Sequence, residues 1–200
     1  MRLTGYTQDS ERIHQDLWAF FERFQFLTSQ EKEALLPIFK TQKIAKNAIL
    51  QDIGDTCRNI YFIHHGIARI YYFKDDNDVT ELFAREGEVM ARVESLFFGK
   101  PSLKGIQILE DSIVTGINAS ALFSLYDRHH GIERLFRKIF EYEHVQSVLR
   151  IESLQFHTAE ERYQMLITNT PNLIKRIPLK YIASYLGITQ TSLSRIRSKK

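Results

Sequence analysis

The chain has 200 residues, of which 44% are hydrophobic and 26% charged, a composition typical of a soluble globular protein with one large domain or two small ones. Its longest apolar run, Leu17 to Phe21, is far shorter than the roughly 20 residues of a membrane span. The first 15 residues lack the apolar segment of a secretory signal. One cysteine, Cys57, cannot form an internal disulfide, a cysteine-based zinc site or an iron–sulfur cluster. We therefore expect a cytoplasmic protein with neither a membrane segment nor a metal centre.

Basic residues are concentrated at the C-terminal end of the chain. The net charge is only +3, but the stretch from Pro171 to Lys200 holds seven basic residues and no acid. The remaining 20 basic and 24 acidic residues give −4. A basic tail on a mildly acidic body predicts a polyanionic partner for the tail, with a solvated basic face as the alternative. The seven residues are Lys175, Arg176, Lys180, Arg195, Arg197, Lys199 and Lys200.

The N-terminal segment is predicted to be helical. Asp16 to Phe26 is rich in aromatic residues at helical spacing. Thr28 and Glu31 have the spacing of a capping box, so a second helix should begin there and end near Pro37.

Residues 39–118 change to short β-branched and aromatic runs separated by turn residues. Seven or eight such strands favour an antiparallel barrel or sandwich. The segment His64-His65-Gly66 is read as a tight hairpin turn between two of them. Val89 to Lys104 is a longer, irregular insertion that begins with a possible short helix, and insertions of this kind often carry function.

Gly131 to His157 has uninterrupted helical periodicity, which predicts a helix roughly 40 Å long. This helix is too long and too apolar for one small β-domain to cover, so we expect a second copy of the chain to pack on it. A helix lying across its own two domains is the alternative. The predicted dimer interface consists of Leu135, Ile139, Tyr142, Val145, Val148, Leu149 and Ile151.

A second capping box, Thr158 with Glu161, starts a further helix at Ala159. We place the domain limits at 1–130, 131–157 and 158–200. In the last unit, the sequence from Leu179 to Arg197 predicts a helix-turn-helix, with Gly187 in the turn and apolar residues where the two helices cross. Thr189 is suited to be the N-cap of the second helix.

The second helix of this motif is the expected DNA reader. Glutamine and arginine side chains can read adenine and guanine, while lysines and other arginines contact phosphates. Arg176 is also expected to contact phosphate. The predicted DNA-binding residues are Thr189, Gln190, Thr191, Ser192, Ser194, Arg195, Arg197, Lys180, Lys199 and Lys200.

This order of elements resembles the Crp/Fnr family of bacterial transcription regulators. The segments that match one branch of the family are residues 161–163, Pro171, and residues 177–178, 180–189 and 193–197. The resemblance implies an α+β fold: an N-terminal β-roll of the cyclic nucleotide-binding type, a long dimerisation helix and a C-terminal helix-turn-helix. It further implies a homodimer that reads a near-palindromic site on double-stranded DNA, an effector in the β-roll, and a contact with RNA polymerase.

The resemblance places a nucleotide pocket after the turn Gly87-Glu88, and its candidate effector-binding residues are Arg92, Glu94, Ser95 and Lys104. Relatives that bind cyclic AMP hold its phosphate with an Arg-Ser pair, where this chain has Leu103-Lys104. Leucine cannot replace a bidentate phosphate ligand. We therefore expect cyclic AMP not to bind, which leaves another anion or no effector at all. Taken residue by residue, an Arg92–Glu94 ion pair on the surface is the favoured reading of these two side chains.

Two other classes of function compete with a DNA-binding regulator. An enzyme is not expected, because the adjacent His64 and His65 cannot form a cupin metal site and no hydrolase or phosphate-binding motif is present. A nucleotide- or anion-sensing module that acts through a protein partner remains as the second candidate.

Overall fold

The computed structural model describes residues 15–198, and its first elements are two helices and a short 3₁₀ turn. Residues 15–22 are helical (α1), and α2 covers Ser29–Leu35. The Thr28 hydroxyl accepts the Glu31 backbone N–H, and the Glu31 carboxylate accepts the Thr28 backbone N–H at 2.8 Å. The predicted capping box is therefore confirmed, and Pro37 lies in the 3₁₀ turn that ends the segment.

Eight short strands form two four-stranded antiparallel sheets with orders β1-β8-β3-β6 and β2-β7-β4-β5. The last two strands run through the middle of the two sheets, and this interleaving gives a β-roll, as predicted. The strands are β1 Phe39–Ile44, β2 Ile49–Gln51, β3 Asn59–His65, β4 Ala68–Lys74, β5 Asn77–Ala84, β6 Val89–Met90, β7 Gly105–Ile108 and β8 Ser112–Asn118.

The prediction of a hairpin at His64-His65-Gly66 is wrong. β3 and β4 belong to different sheets, so these residues form a corner between the sheets. Gly66 has a φ of 99°, and a Cβ atom there would overlap the side chain of Ser112. The local turn signal was correct, but which strands pair is decided by contacts with β8 and β7, far along the chain.

Seven helices follow or interrupt the roll. The predicted short helix in the insertion is α3, and the predicted long helix is α5, with α6 beginning after the Thr158 capping box as expected. The short helices α4 and α7 were not predicted. The helices are α3 Val93–Phe98, α4 Ala119–Phe123, α5 His130–Phe156, α6 Ala159–Asn169, α7 Leu173–Arg176, α8 Leu179–Tyr185 and α9 Gln190–Ser198.

The long helix α5 divides into two halves that differ in burial. Its first half packs on the roll, and Leu135 and Ile139 are only 0% and 2% exposed. Because they form the core of their own protomer, we remove these two residues from the predicted dimer interface. Beyond Tyr142 the apolar side chains of α5 are largely exposed.

The C-terminal helices share a hydrophobic cluster with the roll. Ile67, Phe83 and Leu109 of the β-domain pack with apolar residues of α6 to α9, including Ile182 and Leu193. The domain limits 1–130, 131–157 and 158–200 stay our proposal, with the third unit resting on the first. None of the helices in the part of the chain that the structure describes is long and apolar enough to cross a membrane.

Candidate nucleic-acid interface and effector site

Helices α8 and α9 are joined by a short turn over residues 186–189. Gly187 has a φ of 69°, the left-handed conformation that glycine adopts without strain. The Ile188 N–H donates to the Ala183 carbonyl at 3.0 Å, which closes the turn. Thr189 caps α9, because its hydroxyl accepts the Ser192 backbone N–H at 3.1 Å. The buried Ile182 and Leu193 hold the two helices together.

One side of α9 faces solvent and carries most of the predicted DNA-binding residues. Gln190, Thr191, Ser194, Arg195 and Arg197 are exposed, as are Thr189 in the turn and Lys180 at the start of α8, while Ser192 is half-buried. Lys199 and Lys200 lie outside the described residues. The exposed set is polar or basic, so it offers hydrogen-bond donors and positive charge to a polyanion.

The expectation that Arg176 contacts phosphate is not supported by its surroundings. Its guanidinium donates to Glu86, with 3.1 Å from Nη1 to Oε2, and to Glu110, so it joins α7 to the roll. Desolvation acts to raise the pKa of the Glu86 carboxyl, but hydrogen bonds from Arg176 and from backbone N–H groups outweigh it and lower the pKa to about 2. Arg176 is thus committed to an internal ion pair.

A buried arginine connects the roll to α8. Arg69 on β4 is only 2% exposed, and its two Nη atoms reach the Asp78 oxygens at 2.6 and 2.7 Å. Its guanidinium also lies 3.7 Å from the ring centre of Tyr181 and 4.6 Å from that of Tyr71. A paired charge inside the roll is therefore in direct contact with α8.

The four candidate effector residues do not converge on a common open site. Arg92 and Lys104 instead meet on the carboxylate of Glu81, at 3.1 and 2.7 Å, and Arg92 also pairs with Glu94 at 2.6 Å. The predicted Arg92–Glu94 ion pair is thus present, but it is not the surface pair that was expected, because Arg92 is buried. Ser95 is structural, since its hydroxyl accepts the Cys57 N–H at 2.8 Å and donates to the Lys100 carbonyl.

These residues do not fit a cyclic nucleotide. A cyclic phosphate needs donors that are not already neutralised, but Arg92 and Lys104 are both neutralised by Glu81. Leu103 is 83% exposed and points no donor at the site. Within residues 15–198, no group of three or more His, Cys, Asp or Glu side chains could hold a metal.

A cavity of about 420 Å³ lies between the roll, α5 and the C-terminal helices. Glu143 lines it, and burial together with the nearby Glu88 raises the pKa of the Glu143 carboxyl to about 7. Arg85, Arg150 and Arg162 line the same cavity. The carboxyl of Glu143 therefore changes charge near neutral pH.

The raised pKa of Glu143 predicts a pH dependence of stability. Its stabilising contribution is complete below the unfolded pKa of about 4.5 and is lost as pH rises to about 7, the folded value. The free energy of unfolding of the wild type should therefore decline between these two pH values. We expect this decline to be about 1–3 kcal/mol smaller in Glu143→Gln. Urea unfolding of both proteins from pH 5 to 8 measures it, with Glu141→Gln on the exposed face as the control. Parallel pH profiles for wild type and Glu143→Gln would contradict the assignment.

Comparison with known proteins shows which family model and which solved structures this chain is similar to. Residues 41–129 match the family model for the cyclic nucleotide-binding domain. FixK2 from Bradyrhizobium japonicum has a similar structure, with 18% identity, a TM-score of 0.71 and coverage of 81% of this chain and 84% of that chain. The resemblance to the Crp/Fnr regulators is confirmed: the chain has their fold.

Two further solved structures are similar to this one over most of the chain. One, from Eubacterium rectale, is assigned to the Crp/Fnr family of transcriptional regulators; it has 15% identity, a TM-score of 0.68 and coverage of 86% of this chain and 83% of that one. The other is CLP from Xanthomonas campestris, described as a c-di-GMP-responsive global regulator, with 13% identity, a TM-score of 0.68 and coverage of 86% and 91%. No curated protein sequence matches the chain at a significant level.

Several residues that shape these sites were missed by sequence reasoning. Arg69 is flanked in β4 by apolar and aromatic residues, and the other charge, Lys74, lies at the exposed end of the strand. A charge inside such an apolar run is a recognisable signal of a buried ion pair. Glu81 and Glu110 gave no comparable signal, because acids in half-exposed strands and turns are common. Their partners lie 11 to 66 residues away in sequence, so only the fold brings them together.

Proposed function

We propose that the chain is a sequence-specific, dimeric DNA-binding transcription regulator, in which α8 and α9 form a helix-turn-helix and α9 is the reading helix. The observation that carries this proposal is the polar and basic side of α9, on which five side chains between Gln190 and Arg197 are exposed to solvent. The regulators with the same fold are consistent with it. In this proposal the protein acts in the cytoplasm by binding DNA and is not an enzyme.

Dimerisation is the second part of the proposal. Val145, Val148 and Ile151 follow one another at three-residue spacing on α5 and are exposed. Tyr142 and Leu149 are also exposed and lie beside Val145, toward the cavity that they line. An exposed apolar stripe on a long helix is favourable when a second copy covers it. We therefore propose that Val145, Val148 and Ile151 form the seam of the dimer, and that Tyr142 and Leu149 lie beside it.

In such a dimer, two α9 helices would enter successive major grooves about 34 Å apart on a near-palindromic site. The contact with RNA polymerase that the resemblance implies stays a prediction. The alternative function, a sensing module that acts through a protein partner, rests on the same β-roll but leaves the exposed side of α9 without a role.

Salt dependence separates these two functions. Lys180, Arg195 and Arg197 are exposed, and each phosphate they neutralise should contribute about −0.9 to the slope of log affinity against log salt on duplex DNA. Fluorescence anisotropy with labelled duplexes at several salt concentrations measures this slope. A steep, linear slope supports DNA binding, whereas a shallow slope or no binding favours the protein partner.

Arg195 is the best candidate to read a base, because it is exposed near the middle of α9. We expect Arg195→Ala to weaken binding to the preferred site by about 1–3 kcal/mol and to relax the preference at one base pair. Lys180→Ala is the matched control, expected to weaken all sequences about equally by losing a phosphate contact. Unchanged affinity and preference in Arg195→Ala would mean that α9 does not lie in the groove as proposed.

A further inference from the structure

The cluster around Glu81 is a closed ion-pair network at the site where the candidate effector residues lie. Glu81 on β5 places its two carboxylate oxygens against two cations from different parts of the insertion, Arg92 before α3 and Lys104 before β7. Glu94 pairs with the second Nη atom of the Arg92 guanidinium. The four side chains carry two positive and two negative charges, so the cluster is neutral as folded.

The neutrality of this cluster is important for stability because one of its charges is buried. Arg92 is only 6% exposed, and removing a partner from a buried charge leaves it uncompensated. Its Nε atom is buried and finds no hydrogen-bond acceptor among residues 15–198. The carboxylate of Glu81 thus holds two converging cations in the way that an anionic ligand would, in a domain whose family is described as cyclic nucleotide-binding.

We infer that Glu81 is an internal substitute for an anionic ligand: its carboxylate occupies the anion position of the β-roll and excludes cyclic nucleotides from it. A cyclic nucleotide carries one phosphate charge, so to bind here it must displace Glu81 from both Arg92 and Lys104. The displaced carboxylate would then lie next to the phosphate as a like charge, which costs further free energy. The inference concerns the β-roll alone and does not depend on the DNA proposal.

Removal of the carboxylate tests this directly. In Glu81→Ala, Arg92 and Lys104 lose their common partner and the space of the side chain is freed. We expect isothermal titration calorimetry of the full chain to detect cyclic AMP or inorganic phosphate with an affinity at least about tenfold higher than in the wild type. Adenosine, which has no phosphate, should not bind.

Glu94→Ala is the matched control, since it removes one negative charge from the same cluster but leaves Glu81 bridging both cations. We expect no gain in anion affinity in this variant. Equal gains in the two variants would reduce the effect to net charge and overturn the assignment. A wild type that binds cyclic AMP as tightly as Glu81→Ala would overturn it as well.

Thermal melting covers the case in which Glu81→Ala folds poorly. An anion that fills the vacated position binds only the folded state and must raise the melting temperature. Sodium phosphate, compared with sodium chloride at equal ionic strength, should therefore stabilise Glu81→Ala by several degrees more than the wild type. If phosphate neither stabilises the variant nor binds to it, the inference is wrong.

Discussion

Val148→Glu is expected to convert the proposed dimer into monomers without affecting the fold of the protomer. Val148 is 40% exposed on α5, so the substitution breaks no contact of the core within one chain. In a two-fold symmetric seam of parallel helices, however, each protomer would bring one carboxylate into the apolar contact. Burying an unpaired carboxylate costs several kcal/mol, so the dimer dissociation constant should rise by about a hundredfold or more.

DNA affinity should fall together with the dimer. Two linked reading helices bind as one unit, and the loss of linkage typically removes a factor of about 10²–10⁴ in affinity. Sedimentation velocity measures the oligomer, and anisotropy on duplex DNA measures the second effect. Ser147→Glu is the matched control, because it adds the same charge at an exposed neighbouring position that is turned by about 100° around α5 from Val148, at the edge of the seam.

Two results would contradict this account of the dimer. A wild type that is monomeric at tens of micromolar would remove the interface altogether. A Val148→Glu protein that still sediments as a dimer would show that the two chains associate through another surface. An unchanged melting temperature of the monomeric fraction is the expected sign that the protomer itself is intact.

Arg69→Ala is expected to be the most destabilising single substitution in the roll. The wild-type guanidinium is held by Asp78, by Thr80 at 3.0 Å and by Gln107 at 2.9 Å. Its removal leaves Asp78 without a counter-charge and leaves a cavity beneath Tyr181. The cost should be about 3–5 kcal/mol in the free energy of unfolding, measured by urea denaturation.

Lysine at position 69 should not replace arginine fully. Arg69→Lys keeps the charge but loses the two-pronged contact with Asp78 and the planar stacking on Tyr181, so we expect it to recover only part of the stability. Arg137→Ala, in an exposed pair with Glu141, is the control and should cost less than about 1 kcal/mol. A loss in Arg69→Ala no larger than in Arg137→Ala would contradict the assigned role.

Arg69→Ala should also loosen the contact between α8 and the roll. Besides Tyr181, this contact consists of the Thr80 N–H donating to the Ser184 hydroxyl at 3.1 Å and the packing of Phe83 on Tyr185. Hydrogen exchange of the α8 backbone should therefore be faster in Arg69→Ala than in Arg137→Ala. Equal exchange in both variants would mean that Arg69 stabilises the roll without positioning α8.

Local patterns predicted the elements well because their causes are local. The capping boxes of Thr28 and Thr158, the long helix and the turn at Gly187 each depend on residues within a few positions of one another. Strand pairing is not local in this sense. The sequence at Gly66 suggested a hairpin, because glycine is compatible both with a hairpin turn and with a corner between two sheets. The pairing of β3 with β8 and of β4 with β7 decides for the corner.

The same distinction applies to the candidate sites. The exposed residues of α9 follow from helical spacing once the apolar side of the helix is known. The pairing of Arg176 with Glu86 and Glu110 could not be predicted, since a basic residue in a basic tail gives no sign of a distant acid. Likewise, Leu135 and Ile139 belong to the same apolar stripe of α5 as exposed residues, and only the fold separates the two groups.

Selection from a random duplex library with the full-length protein tests the central claim most directly. The account predicts enrichment of a near-palindromic sequence with half-sites about one helical turn apart, because two α9 helices related by two-fold symmetry would read it. Recovery of unrelated sequences, or of none above background, would contradict the assignment of α9 as a DNA reader. It would favour the alternative in which the β-roll and its C-terminal helices act on a protein partner.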